Sequence, residues 1–442
     1  MIKEIIDDNL MTREQIIAYL KDDFRVDLQK IRSITLIDEL APEEKLSSKK
    51  IPHHRYNLFF NQESGALYIQ ATEGKLRTNH LKLETEFLSE LIKTPVTFAD
   101  LSISYDIFLQ DWLARMATKL AGKKIEGVLI GSMWNFNFYL KFFAQGEFAD
   151  TYTKNLNRVT LENYVIHQLA LAVIEEEYIH GRLNLNEHER TIFQEGKISG
   201  RTTLATTKKI SSVIPFFHDK IAILRKRIDL VDYIKTDFLF FSDLEDGTSL
   251  FKETLVSDMT EIIDDSFLSY QIIDVRNKTY INFSWANDEI LSAAIKTLEQ
   301  VFSFKSLYMY GKCGSLTPDL KIGQLVAPMQ CSNGKKFVDI KNQMLLSNDT
   351  KAVNFIHVQS PLVETRTWAR TMLSLGCNCV DMELDSVVRS ISEKVTKKII
   401  YYISDEPTMG LTLSDRLSML KQRLDCSKKI IEDLLTDTVE HL

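Results

Sequence analysis

The 442-residue sequence has little of what would make a chain fibrous, exported or membrane-spanning. Glycine (16) and proline (8) are too few for a collagen-like or linker-dominated protein. No apolar run reaches the roughly 18 residues that a membrane-crossing helix needs, so no membrane partner is expected. The opening stretch, MIKEIIDDNLMTREQ, carries acids where a secretory signal needs a basic flank and an apolar core, and no signal of that type is read. A basic excess is also missing. Residues 1–230 hold 31 basic and 31 acidic side chains, and residues 231–442 hold 23 and 30, so the whole net charge of −7 lies in the second half. Neither half has the positive footprint that phosphate-backbone binding requires, and nucleic acid is not an expected partner. Cysteine is scarce and odd in number: Cys313, Cys331, Cys377, Cys379 and Cys426. Five thiols in so long a chain suit a reducing, cytoplasmic compartment better than a disulfide framework. Cys377 and Cys379 have no second Cys or His pair at zinc spacing, so neither metal nor cofactor is expected.

What is present is ordinary for a globular protein with a real core: 44% hydrophobic and 26% charged residues, at a length that suggests two or three domains. Residues 1–45 read as helix, with Thr12 and Gln15 forming a capping box ahead of Ile16, Ile17 and Leu20. Residues 45–50 read as a polar loop. Tyr56–Phe60 and Ala66–Gln70, separated by Asn61–Gly65, read as a β-hairpin. From about 80 to 200 the pattern is mainly helical, clearest from Thr160 to His180, with Ile125–Gly131 as one strand. Residues 196–210, GKISGRTTLATTKKI, are small, polar and basic and are read as an interdomain connection. The expected domains are therefore 1–205, a mainly helical α+β region of unassigned role, and 206–442, an α/β domain.

Beyond 230, apolar runs of strand length alternate with helical patterns. Strands are expected at Phe238–Phe241, Tyr280–Phe283, Ser306–Tyr310, Ile322–Ala327, Val353–Val358, Asn378–Met382 and Ile399–Ile403. Helices are expected at Asp288–Phe302 (capped by Asn287), near Thr365–Leu375, from Glu383, and at about Ser414–Leu435. Such alternation argues for a mixed, mostly parallel sheet flanked by helices, with ligands at the carboxyl ends of the strands. Three strand ends carry chemistry. Gly311 and Gly314 let backbone approach a ligand closely. Met382 and Glu383 stand at a strand-to-helix junction, and Asp405 lies just past a buried strand. Two carboxylates at neighbouring strand ends can divide the work, one holding hydroxyl groups and the other, raised in pKa by burial, donating a proton.

The motifs GKCGSL (311–316), KIG (321–323), ETRTW (364–368), VDMEL (380–384) and ISDEPTMG (403–410), in that order, resemble the nucleoside phosphorylase/nucleosidase superfamily. They look closest to AMP nucleosidase and the methylthioadenosine/adenosylhomocysteine nucleosidases. The resemblance covers roughly residues 230–442. It implies a nucleoside phosphorylase-like domain that hydrolyses the bond between a ribose and a purine base, with a purine nucleoside or nucleotide as partner and a homo-oligomeric assembly. It further implies Asp405 and Glu383 as catalytic residues, Asp405 at the leaving base and Glu383 at the ribose hydroxyls. Met382, Cys313, Gly314, Arg366, Trp368 and Ser404 follow as substrate-binding residues, Arg366 as an anion contact and Trp368 as a stacking or lining side chain.

The sequence departs from the family pattern in three places. Gln324 stands where the family has an aspartate, Phe283–Ala286 replaces a glycine turn, and the only early glycine loop, Leu244–Thr248, is acidic. These changes favour hydrolysis over phosphorolysis and keep a second function class open, a nucleotide-binding protein on the same fold without efficient turnover. Plainer readings stand beside the sharp ones. Cys313 and Trp368 suit a core, Arg366 a surface and Glu383 the first turn of a helix. His53-His54 and the single Glu177/His180 pair lack the further ligands that a metal centre needs.

Overall fold

The computed structural model describes residues 1–37, 40–51, 57–70, 78–99, 105–120, 122–132, 136, 158–179, 183–198, 204–230, 232–233, 256–259, 268–275, 277–283, 288–344, 349–409 and 419–437. Phe238–Phe241, Leu244–Thr248, His53-His54, His180, Asn287 and residues 284–286 lie outside them.

The first hundred residues build a five-stranded sheet, with strands β1 (Ser33–Ile37), β2 (Lys49–Ile51), β3 (Asn57–Asn61), β4 (Ala66–Gln70) and β5 (Thr97–Ala99) in the order β2-β3-β4-β1-β5. The expected hairpin is there. β3 and β4 pair antiparallel, and the Asn61 side chain accepts from the backbone N–H groups of Glu63 and Ser64. Gly65 closes the turn at φ +72, where a Cβ would also lie 2.5 Å from the Lys30 carbonyl oxygen. The capping box forms as the sequence requires, Thr12 and Gln15 bonding each other's backbone at the start of the helix Arg13–Phe24. The expectation of helix throughout residues 1–45 is corrected at β1. Ser-Ile-Thr-Leu-Ile alternates half-buried and buried residues, the period-2 pattern of a strand. Residues 45–50 likewise divide between the end of the helix Pro42–Ser47 and the start of β2.

The second sheet holds β6 (Ile125–Ile130), β7 (Val256–Met259), β8 (Tyr270–Val275), β9 (Lys278–Phe283), β10 (Ser306–Ser315), β11 (Leu325–Ser332), β12 (Phe337–Asp339), β13 (Lys351–His357), β14 (Cys379–Asp381) and β15 (Thr396–Asp405). Its path is β12-β11-β13-β14-β10-β6-β9-β8-β7, and β15 pairs with both β10 and β11, so the pairings β10-β15-β11-β13-β14 close on themselves. Among the described residues, five pairings are parallel and five antiparallel. The sheet is therefore mixed rather than mostly parallel. The antiparallel share comes partly from the β7-β8-β9 meander, whose last turn uses Asn277 at φ +63, and from β12 folding back on β11.

Helices cover both faces. Side chains of Arg158–Ile179, Pro215–Lys226 and Leu420–Asp437 share one core with Tyr308, Tyr310, Ile400 and Tyr402. On the opposite face, Tyr105–Leu120, Asp288–Phe302 and Leu384–Ser390 share a core with Leu307, Met309, Ile399 and Tyr401. The buried residues of these two cores run from 109 onward, while a third core draws on residues 6–91 together with Leu362, and a fourth joins Leu10 to residues 316–380. The expected connection overlaps the helices Glu187–Ile198 and Leu204–Val213. Within residues 1–205, β6 belongs to the large sheet. Its Ile125, Val128, Leu129 and Ile130 are buried, and the strand inserts in parallel between β10 and β9. Among the described residues, no helix is long and apolar enough to cross a membrane.

Candidate active site

The glycine-bearing end of β10 meets the ends of β14 and β15. Gly314 pairs with Val380 on one side and with Asp405 on the other. The register slips between Cys313 and Gly314, so that Ser404 bulges out of the ladder. Such a bulge re-aims the side chain that follows it. A Cβ on residue 314 would lie 3.0 Å from Asp405 Oδ2, 3.0 Å from Val380 Cγ1 and 3.1 Å from Pro407 Cγ. A side chain here would push against the Asp405 carboxyl, and glycine leaves room for that carboxyl against this strand.

Asp405 keeps part of its surface accessible, yet burial pushes its carboxyl pKa up. The Ser404 hydroxyl, which donates to Oδ1, and the charge of the exposed Lys312 pull in the opposite direction. The Cys313 carbonyl is a second acceptor for the Ser404 hydroxyl, at 3.3 Å. Just beyond Asp405, the buried Glu406 accepts from the Ile322 N–H (3.1 Å) and the Lys321 ammonium (3.3 Å). The Gly323 N–H donates to the Ile403 carbonyl at 2.9 Å. These bonds pin the KIG turn against the strand that ends in Asp405.

At the neighbouring strand end, Asp381 is buried, and its Oδ2 accepts from the Leu384 N–H (2.8 Å), the Tyr401 hydroxyl (3.0 Å) and the Glu383 N–H (3.2 Å). Burial, reinforced by the Glu383 charge, pushes the Asp381 pKa up to about 8, with the backbone bonds and the Tyr401 hydroxyl opposing. Asp381 thus holds the first turn of Leu384–Ser390. Glu383 stands half-buried at the N-cap position of that helix, and its side chain makes no capping bond.

A third acid arrives from the segment after β13. Glu364 is 6% exposed, and burial, followed by the Asp405 charge, pushes its pKa well above the carboxylate range. Its backbone is held from the N-terminal unit. The Leu10 N–H donates to the Glu364 carbonyl (2.8 Å) and the Asn9 side chain to the Leu362 carbonyl (2.7 Å). Glu364, Asp381 and Glu406 were not among the residues singled out from the sequence. The available signal was that each lies inside a quoted motif, within two residues of one that was singled out.

The other expected residues divide. Met382 and Trp368, both half-buried, pack against one apolar cluster that includes Leu316, Ile356, Val358 and Val380. Cys313 is 2% exposed, with its thiol directed at the Tyr402 carbonyl and raised in pKa by burial, so it meets the site through its own carbonyl and not its sulfur. Arg366 is exposed, its N–H bonds the Asp8 carbonyl (2.8 Å), and its charge acts on the Asp8 carboxylate. It stands at the junction with the N-terminal unit. All five cysteines are buried and free.

No family model matches the sequence, and no curated protein matches it. Solved structures do align with part of the chain. A futalosine hydrolase mutant of Helicobacter pylori strain 26695 is 15% identical over 39% of this chain and 88% of its own, with a TM-score of 0.33. Helicobacter pylori MTAN is 16% identical over 39% and 89%, with a TM-score of 0.33. A methylthioadenosine phosphorylase from an antarctic soil metagenomic library is 11% identical over 44% and 84%, with a TM-score of 0.34.

Proposed function

We propose that this chain is a nucleosidase, an N-ribosyl hydrolase that releases the free base from a purine nucleoside or nucleotide. The observation that carries the reading is the Asp405 carboxyl, raised in pKa by burial and seated against Gly314, one strand away from the junction that presents Glu383. The motif resemblance supplies the substrate class.

In this reading Asp405 gives its proton to a ring nitrogen of the base as the bond from that base to the ribose C1′ breaks. The oxygen of a water molecule forms the new bond to C1′, and its proton restores the carboxyl. The Glu383 carboxylate accepts hydrogen bonds from the ribose hydroxyls and favours the positive charge that develops on the sugar. Met382 and Trp368 supply the apolar wall. Glu364, raised in pKa by burial and by the Asp405 charge, resists placing a second negative charge near the departing base. The protein is proposed to act in the cytoplasm as a homo-oligomer.

One observation favours a second reading, binding without turnover. Gln324, at the family's aspartate position, has its side-chain oxygen occupied by the Lys321 N–H at 2.8 Å. Incubation with adenosine, methylthioadenosine, adenosylhomocysteine, AMP, inosine and guanosine, with and without phosphate, separates the readings. Phosphate-independent base release, lost in Asp405→Asn, is the expected result. Release only with phosphate makes the protein a phosphorylase. No release, with a nucleoside still raising the melting temperature, establishes the second reading.

A further inference from the structure

Away from this site, two helices of the N-terminal unit bring together side chains that no step above uses. Tyr19 and Asp23 lie one turn apart on the helix Arg13–Phe24, and His80 and Glu84 lie one turn apart on Thr78–Ile92. The two pairs face each other. Ligand atoms of Asp23, His80 and Glu84 all fall within 4.8 Å of one another, in side chains that are 5%, 2% and 0% exposed. His80 Nε2 is 2.8 Å from Glu84 Oε1 and 3.2 Å from the Tyr19 hydroxyl.

The imidazole is oriented from its far side. His80 Nδ1 lies 3.2 Å from the Gln359 carbonyl oxygen. A carbonyl oxygen only accepts, so the proton of that bond is on Nδ1. With Nδ1–H on the carbonyl, the 2.8 Å approach of Nε2 to Glu84 Oε1 needs a proton between them, and that proton is what a divalent cation would displace. A backbone carbonyl on one imidazole nitrogen, fixing the tautomer while the other nitrogen faces two carboxylates, is the arrangement that holds metal-binding histidines.

We propose that Asp23, His80 and Glu84 form a binding site for a divalent transition-metal ion, with zinc the ion that one imidazole and two carboxylates suit well. His80 contributes Nε2, and Asp23 and Glu84 one oxygen each. Two carboxylates and a neutral imidazole match the charge of a dication. The Tyr19 hydroxyl is placed to donate to a ligating carboxylate or to a water completing the coordination. The site joins the two helices of the small unit and, through Gln359, reaches the segment that carries Glu364. It does not depend on the proposed hydrolysis.

The test uses the full-length protein, stripped with a chelator and titrated with zinc and separately with manganese, beside Glu84→Gln and Asp23→Asn. The expected result is about one equivalent of zinc per chain, with a rise of about 2 °C or more in the melting temperature at saturating metal. Affinity should fall at least about 100-fold in either variant, beyond the 10–100-fold typical of losing a supporting partner. No stoichiometric zinc or manganese in the intact chain, or equal binding by the variants, overturns the proposal. Should a substitution unfold the chain, X-ray absorption of the intact zinc complex decides the matter. One imidazole nitrogen with oxygens at about 2.0–2.2 Å supports the site, and a sulfur shell or several imidazoles overturns it.

Discussion

Two buried groups of acids, one between helices beside the small sheet and one at strand ends of the large sheet, show how the same composition is given different work. Between the helices, Asp23 and Glu84 face an imidazole whose far nitrogen meets a backbone carbonyl. At the large sheet, Asp381 and Asp405 stand at strand ends, with Glu364 on the segment after β13; backbone N–H groups and hydroxyls donate to Asp381 and Asp405, and the exposed Lys312 adds its charge at Asp405. Neutral donors soften a buried carboxylate but do not cancel its charge, so burial wins and all three pKa values rise. The first arrangement is suited to holding a cation. The second is suited to holding protons, which is what protonating a leaving base requires.

The strongest test of that contrast is Asp405→Asn, which keeps the shape of the site and removes its acid. Base release should fall about 10²–10⁴-fold with little change in melting temperature. An unchanged rate would move the proton donor elsewhere, with Glu364 the next residue to substitute. Gly314→Ala comes next. The added methyl meets Asp405 Oδ2 and Val380 at 3.0 Å, so the expected outcome is about 10- to 100-fold lower kcat and about 1–3 kcal/mol lower stability by denaturant titration.

The third concerns pH. The Asp381 carboxyl is held up at about 8 in the folded chain and ionises near 3.8 when exposed, so its contribution to stability is complete below about pH 4. As pH rises, the unfolded chain loses this proton first, and stability drains until the folded carboxyl also ionises near 8. The slope is at most about 1.4 kcal/mol per pH unit for this group. Glu364 acts in the same direction. Melting temperatures recorded from pH 4.5 to 8 should therefore fall with pH more steeply in the wild type than in Asp381→Asn. Equal slopes would mean that Asp381 is ionised in the folded protein.

Tyr401→Phe removes one of three donors to Asp381 and should cost about 1–2 kcal/mol of stability in the same titrations. The smallest effect belongs to the small unit. Thr12→Ala deletes one half of the capping box and should cost about 1 kcal/mol in stability while leaving base release unaltered.

Much of the large sheet was legible because its strands are apolar runs of five or more residues followed by helical periodicity, as at Ser306–Tyr310 and Asp288–Phe302. Strand β8 was missed because Tyr-Gln-Ile-Ile-Asp-Val mixes polar and apolar residues, and Gln271 is buried by its neighbours rather than by its own preference. The hairpin and the capping box were legible because turn and cap chemistry is local. The pairing of β6 was not. Ile125–Ile130 is recognisable as a strand, but nothing in its own residues says that its partners lie some 150 and 180 positions later.

At the candidate site, Asp405 and Glu383 were reachable through motif order, whereas Glu364 acquires its meaning only from standing near Asp405. The sequence by itself determined the absence of a long apolar span, the charge balance, the local caps and turns and the types of side chain available for acid chemistry. Those properties follow from composition and from contacts a few residues apart. Tertiary structure alone decided which acids are buried together, that Gly314 must lack a side chain, that the Cys313 thiol faces the core, and that His80 meets Asp23 across two helices. Each of these depends on elements far apart in the chain being packed against one another, and it is that packing, by removing water, that sets a carboxyl's proton affinity and a histidine's tautomer.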